Sequence, residues 1–307
     1  MKLKNKRGNK KGELTTQQIV TLIILITSFI VILFFIFYLN LGEESDFLKC
    51  QNSVALRGSS DLTANTVPLD CKTHYVCITA DGTCESMTSP DIKEVKTKSE
   101  VYGVLAKEMR DCWAMFGRGK INYVENNILP NNLYCSICSQ IAFDDSLKTD
   151  KFFINGFIDQ EDFYENYLAK TKISGEDMTY LEYLYGIRDY SGLESFLVSE
   201  NIGFDQINLD KHHYVLMGIT AEVSTLSYIA GGAVVVGAAT LYFVGAPASI
   251  PATVGFVLLS AAGGTTGYFV GTTLEGESGN EFMPPILLEV DSDKFEKLEC
   301  EDVKTLS

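Results

Sequence analysis

Residues 223–274 read VSTLSYIAGGAVVVGAATLYFVGAPASIPATVGFVLLSAAGGTTGYFVGTTL, a stretch without one charge between Glu222 and Glu275. Pro247 and Pro251 divide it into two apolar pieces, 226–246 and 252–273. Each piece has the roughly 20 residues that a helix needs to cross a bilayer. The stretch therefore predicts a helical hairpin set in a membrane. Within the second piece Gly263, Gly267 and Gly271 stand four apart and share one face of such a helix. Small residues there let two helices approach closely in lipid, where packing replaces the hydrophobic effect as the source of association. That face would pack the hairpin against itself and the first helix, or support oligomerisation or a pore. Gly, Ala, Val and Thr are also what a buried sheet or a tightly packed pair of core helices would use, so a soluble reading stands beside the membrane one.

A second apolar run, residues 19–39, holds no charge, Gly or Pro and would reach about 31 Å as a helix. Lys2, Lys4, Lys6, Arg7, Lys10 and Lys11 precede it, and Glu43, Glu44 and Asp46 follow it. By the positive-inside rule the N-terminus is cytoplasmic and the rest of the chain is extracellular. The run is longer than the apolar core of a signal peptide, which favours a retained transmembrane helix over residues 19–40.

The junction before this run, Lys11-Gly12-Glu13-Leu14 followed by Thr15-Thr16-Gln17-Gln18, resembles the processing site of archaeal type IV prepilins. The resemblance spans residues 10–40 and implies a cut between Gly12 and Glu13. It departs from the bacterial pilin pattern at Gln17, where Glu is expected. An ordinary uncleaved signal anchor accounts for the same residues.

The chain has 307 residues, 40 acidic against 25 basic, for a net charge of -15. A chain with no basic face beyond its first dozen residues does not neutralise phosphates, so nucleic acid is excluded as a partner. With 46% hydrophobic residues it is too apolar for a disordered protein and, at 21% charged, too polar for a polytopic transporter.

All eight cysteines, Cys50, Cys71, Cys77, Cys84, Cys112, Cys135, Cys138 and Cys300, follow the first apolar run. An even number on the exported side favours disulfides, with connectivity unreadable from spacing. Cys300 alone follows the uncharged stretch, so any bridge it makes closes a loop of at least 160 residues. Cys135 and Cys138 form a CxxC motif. It lacks the strand-to-helix context of a thioredoxin centre, and no second close pair completes a zinc ribbon, so structural disulfides are favoured over a redox pair or a metal.

Apolar positions at Val101, Val104, Leu105, Met109, Cys112, Trp113 and Phe116 recur at three and four and predict an amphipathic helix. Thr97-Lys98-Ser99-Glu100 is its capping box and Gly117 its end, with Trp113 in the core. Residues 150–201 repeat short acidic and aromatic helical patterns, and strands are predicted at 74–79, 214–219 and 286–290. Taken with Cys50-Gln51-Asn52-Ser53-Val54, Asp111-Cys112-Trp113 and Tyr134-Cys135-Ser136-Ile137-Cys138, this resembles a group of membrane-anchored proteins of small-genome archaea, over residues 10–145. That likeness implies a location and no activity.

Chemistry is sparse. His212 and His213 are adjacent and on a strand face opposite sides, so they do not share one metal. Phosphate loops, the two-His zinc helix and the Gly-x-Ser-x-Gly elbow are absent. Asp144-Asp145 and Asp291-x-Asp293 lack calcium-loop spacing. No catalytic residue, cofactor or metal is expected.

The reading is a membrane-anchored α+β protein. It comprises a basic segment (1–18), a transmembrane helix (19–40), a disulfide-stapled exterior domain (41–222), the Gly-rich hairpin (223–274), and a tail (275–307) tied back by Cys300. Its expected role is a non-enzymatic envelope surface or assembly protein whose partners are the lipid bilayer, copies of itself or other envelope proteins. A pore or fusion protein, or an exported oxidoreductase at Cys135 and Cys138, are the alternatives.

Overall fold

The computed structural model describes residues 16–38, 42–60, 63, 66–124, 133–149, 151–199, 202–220, 233–239, 254–260, 267–275, 281–298 and 300–302. The chain divides into two units, Met1–Ser45 and Asp46–Ser307.

In the first unit, Thr16–Tyr38 forms a helix, α1. Two of its hydroxyls bond to carbonyls of the preceding turn. Thr27 Oγ1 donates to the carbonyls of Ile23 and Ile24 at 3.0 Å, and Ser28 Oγ to that of Leu25 at 2.9 Å. Apolar side chains lie exposed all round it, from 36% at Leu33 to 63% at Leu25. The transmembrane helix expected at 19–40 is nevertheless corrected: among the described residues no helix is long and apolar enough to cross a membrane. Lys11, Gly12 and Glu13, the candidate processing site, lie outside the described residues.

The second unit is built on a nine-stranded mixed sheet. Its strands are β1 (His74–Thr79), β2 (Asp91–Glu94), β3 (Leu133–Phe143), β6 (His213–Thr220), β7 (Ala233–Ala239), β8 (Val254–Ser260), β9 (Gly267–Glu275), β10 (Glu281–Glu289) and β11 (Glu301–Asp302). A separate two-stranded sheet pairs β4 (Phe157–Asp159) with β5 (Gln206–Asn208). The order in the large sheet is β2-β1-β3-β6-β10-β9-β8-β7. β1 runs parallel to β2 and β3, and the ladder from β3 to β7 is antiparallel throughout. The strands expected at 74–79, 214–219 and 286–290 are β1, β6 and the latter part of β10. Pro284 and Pro285 sit where the β10–β6 register shifts, between Met283 and Ile286, because proline has no N–H to give a regular ladder.

The uncharged stretch is where the expected fold fails. Its described parts are strands, with Ala233 opposite Leu259 and Val254 opposite Leu274. The Gly-rich helical hairpin is therefore corrected to the β7–β8–β9 end of the sheet. A strand rises about 3.3 Å per residue, so seven residues cover about 23 Å, which a helix covers with about twice as many. A charge-free length long enough for two helices is equally long enough for three strands with their connections. The Gly spacing was no arbiter, since four is a multiple of the strand period as well as close to the helical turn. Gly267 faces Ser260 and Gly271 faces Val257 across the β8–β9 ladder, and Gly263 lies outside the described residues.

After helix α2 (Gly42–Arg57), helix α3 (Lys98–Met115) lies on one face of the sheet, as its periodicity predicts. Thr97 caps it by accepting from the Glu100 amide at 3.2 Å, while the Glu100 carboxylate reaches back to the Lys96 amide. Gly117, with φ +77°, turns the chain away. Its buried face, Val101, Leu105, Met109, Cys112 and Trp113, meets β1, β3, β6 and β10 in the main core. Short helices of the 160–199 region complete that core, including a π-helix (Phe163–Leu168), α4 (Tyr180–Tyr185) and α5 (Tyr190–Ser199). The Tyr164 and Tyr185 hydroxyls bond at 2.8 Å, and Tyr185 donates onward to the Pro285 carbonyl at 2.9 Å, so both buried phenols are satisfied. The aromatic patterns there are core.

On the opposite face a smaller core gathers Leu133, Cys135, Leu216, Met283, Ile286, Leu288 and Leu298. Phe295 and Cys300 of the C-terminal segment cover it.

Candidate functional site

The cysteines settle into four bridges, Cys50–Cys71, Cys77–Cys84, Cys112–Cys138 and Cys135–Cys300, and none is free. The strand geometry explains why the CxxC does not close on itself. Along β3 side chains alternate between faces, so positions three apart point opposite ways. Cys138 belongs to the main core and bonds to Cys112 of α3, while Cys135 belongs to the smaller core and bonds to Cys300. The vicinal pair required by a thioredoxin-like centre is not formed.

His74 of β1 sits between two carboxylates. Its Nδ1 lies 3.2 Å from Glu108 of α3, a residue 5% exposed, and its Nε2 lies 3.3 Å from Asp91 of β2. Lys93 closes an ion pair on Asp91. Buried Ser139 of β3 is the register partner of His74. This cluster sits between sheet and helix and joins three elements that carry charge close to the core.

The open site lies elsewhere. A cleft of about 390 Å³ is lined by β10 residues Leu287–Glu289, the turn at Asp291, helix α6 (Asp293–Glu296), β5 residues and His213 at the start of β6. Each part is positioned by local bonds. Val290 N–H donates to the His212 carbonyl at 2.9 Å, closing the end of the β10–β6 ladder. Asp291 then adopts φ +55°, a left-handed conformation that Asp tolerates better than most residues. Ser292 caps α6, accepting from Phe295 N–H at 3.2 Å and donating to the Glu289 carbonyl at 2.7 Å. Across the cleft Gln160 and Asp205 are tied twice, by Gln160 N–H to the Asp205 carbonyl at 3.3 Å and by Asp205 N–H to Gln160 Oε1 at 3.1 Å. Lys294 bridges the sides with an ion pair to Asp205.

His213 is 3% exposed, and its ring meets Phe143 edge-on at 5.8 Å. Its Nδ1 lies 3.1 Å from the Lys211 carbonyl, and since a carbonyl only accepts, Nδ1 carries the proton. Nε2 therefore presents a lone pair. Burial pushes the His213 pKa down to about 4, against the weaker pull of the Lys211 carbonyl and Asp205, with His212 and Lys294 adding to the decrease. His212, its sequence neighbour, turns instead to Gln140, with Nδ1 at 2.9 Å from Nε2. The two histidines thus take separate neighbours.

The unfolded imidazole titrates near 6.5, so the unfolded chain takes up the proton first. Stability from keeping His213 neutral is fully present above about pH 6.5 and is lost as pH falls toward 4, by about 3 kcal/mol. Urea denaturation near pH 7 and pH 4 should show His213→Phe losing less stability than the parent by that amount.

The sequence gives little sign of this site. Gln160, Asp205, His213 and Lys294 come from four distant segments, and in the sequence only the His212-His213 pair and the Asp291-x-Asp293 spacing stand out. Among the described residues no group of three His, Cys, Asp or Glu could hold a metal ion. No protein-family model, curated protein or solved structure matches this chain.

Proposed function

We propose that this chain is a non-enzymatic surface or assembly protein of the cell envelope, with its disulfide-stapled body outside the cytoplasm. The observation that carries this reading is that all eight cysteines are joined in four bridges, each with at least one buried cysteine. Such bridges persist in oxidising surroundings and are reduced in the cytosol. The apolar side chains of α1, exposed on every side, support partners that are themselves apolar, either lipid or other envelope proteins. The charge of -15 argues against nucleic acid. No observation favours a pore through 223–274, whose described parts are strands, or an oxidoreductase at Cys135 and Cys138, which bond to distant partners.

The test is thiol labelling of freshly isolated chain before and after reduction. No labelled cysteine is expected before reduction and all eight after it; label at any cysteine of the unreduced protein overturns the reading. N-terminal sequencing of the same material tells whether the chain begins at Glu13, as a prepilin-like cut between Gly12 and Glu13 requires.

A further inference from the structure

Both ring nitrogens of His74 face carboxylate oxygens, Nδ1 that of Glu108 at 3.2 Å and Nε2 that of Asp91 at 3.3 Å. An ionised carboxylate only accepts hydrogen bonds. A neutral imidazole carries one N–H, so it would turn the lone pair of its other nitrogen on one of the two acids, whereas the protonated ring offers a donor to each. The charges around the ring leave that demand standing. Lys93 of β2 pairs with Asp91, Lys107 of α3 with Asp111, and Lys72, two residues ahead of the ring, with Asp46 of α2. On β3 the register partner of His74 is Ser139, which is uncharged and 1% exposed, and whose hydroxyl has no hydrogen-bond partner among the described residues. The buried acid Glu108 thus takes its ion pair from the imidazole.

We propose that His74 is a proton-operated clasp, which when charged ties the end strand β2 and helix α3 to β1 and on losing its proton lets β2 go. Burial decides which partner is given up. The Glu108 side chain is 6% exposed and that of Asp91 21%. A carboxylate is costlier to leave unmatched the deeper it lies, so the one N–H of the neutral ring stays on Nδ1 toward Glu108. Nε2 then presents its lone pair to Asp91, which keeps Lys93. β2 has four residues, stands at the end of the sheet order and has β1 as its ladder partner among the described residues, so little else holds it. The unfolded imidazole titrates near 6.5. The clasp therefore stabilises fully below that pH, and its contribution is lost at higher pH as the folded ring gives up its proton. It would work in any compartment, so its failure leaves the envelope reading untouched.

The test makes two measurements on the oxidised full chain. The ring signals of the three histidines are followed by NMR from pH 5 to pH 9, with His74→Gln identifying the one that belongs to His74. Its midpoint should lie about one pH unit above that of a free imidazole, and a midpoint below about 7 overturns the proposal. Hydrogen exchange over residues 91–95 is then compared at pH 5.5 and pH 8.5 after correction for intrinsic rates. Protection in the parent should fall about tenfold across that range, which matches one pH unit between the folded and unfolded titrations. In His74→Gln and in Asp91→Asn, a surface-side change that spares Glu108, the fall should be no more than about twofold. The protonation of His213 is common to all three chains and cancels in the comparison. An equal fall in the parent and both variants overturns the proposal.

Discussion

Replacing Cys135 and Cys300 together by Ala lowers the unfolding free energy of the oxidised protein by about 5 kcal/mol. The bridge spans 165 residues, and the loop-closure entropy it removes from the unfolded chain grows with the logarithm of that length. The same relation gives about 3.5 kcal/mol for Cys112–Cys138, which spans 26 residues, and about 2.4 for Cys77–Cys84, which spans 7. The loss should also be local in its consequences. β11 pairs only at Tyr134 and Cys135, and Leu298 and Phe295 cover the smaller core from a segment that Cys300 fastens. Urea denaturation of the three double variants checks the order. Three equal losses, or a smaller loss for the longest bridge, would defeat the entropic account.

Trp113→Ala is expected to cost about 4 kcal/mol, the range for emptying a large aromatic site in a packed core. The indole is 2% exposed and meets the Phe282 ring edge-on at 6.3 Å, where α3 crosses β10. Its far edge also lies under Gly119, where a Cβ would come within 3.2 Å of Cη2 and where φ is +72°. Removing the ring opens a cavity between helix, sheet and turn that this tightly bent backbone is poorly placed to fill. The chain has one tryptophan, so the variant loses the usual fluorescence signal, and circular dichroism with urea should follow the transition. A cost below about 1 kcal/mol would mean that the site collapses freely.

What could be read before the structure was local. α3 announced itself through seven apolar positions at helical spacing, a Thr97 cap and a terminal Gly117, all set within 21 residues. β1 and β6 were legible from alternation and from β-branched residues. The long-range consequence of Cys300 was legible too, because only one cysteine follows the uncharged stretch. The β7–β8–β9 ladder was not legible, since absence of charge says nothing of period. The cleft was least visible of all. Its acceptors are held by a reciprocal Gln160–Asp205 tie, a left-handed Asp291 and the Lys211 carbonyl, and none of these leaves a mark at fixed spacing.

The bridge from Cys135 to Cys300 also decides how the chain carries tension. A pull applied between the tail and any point ahead of β3 would cross directly through sulfur, leaving the intervening 165 residues slack. Fully drawn out, that shielded length is on the order of 55 nm, so reduction should lengthen a stretched molecule by about that much in one step.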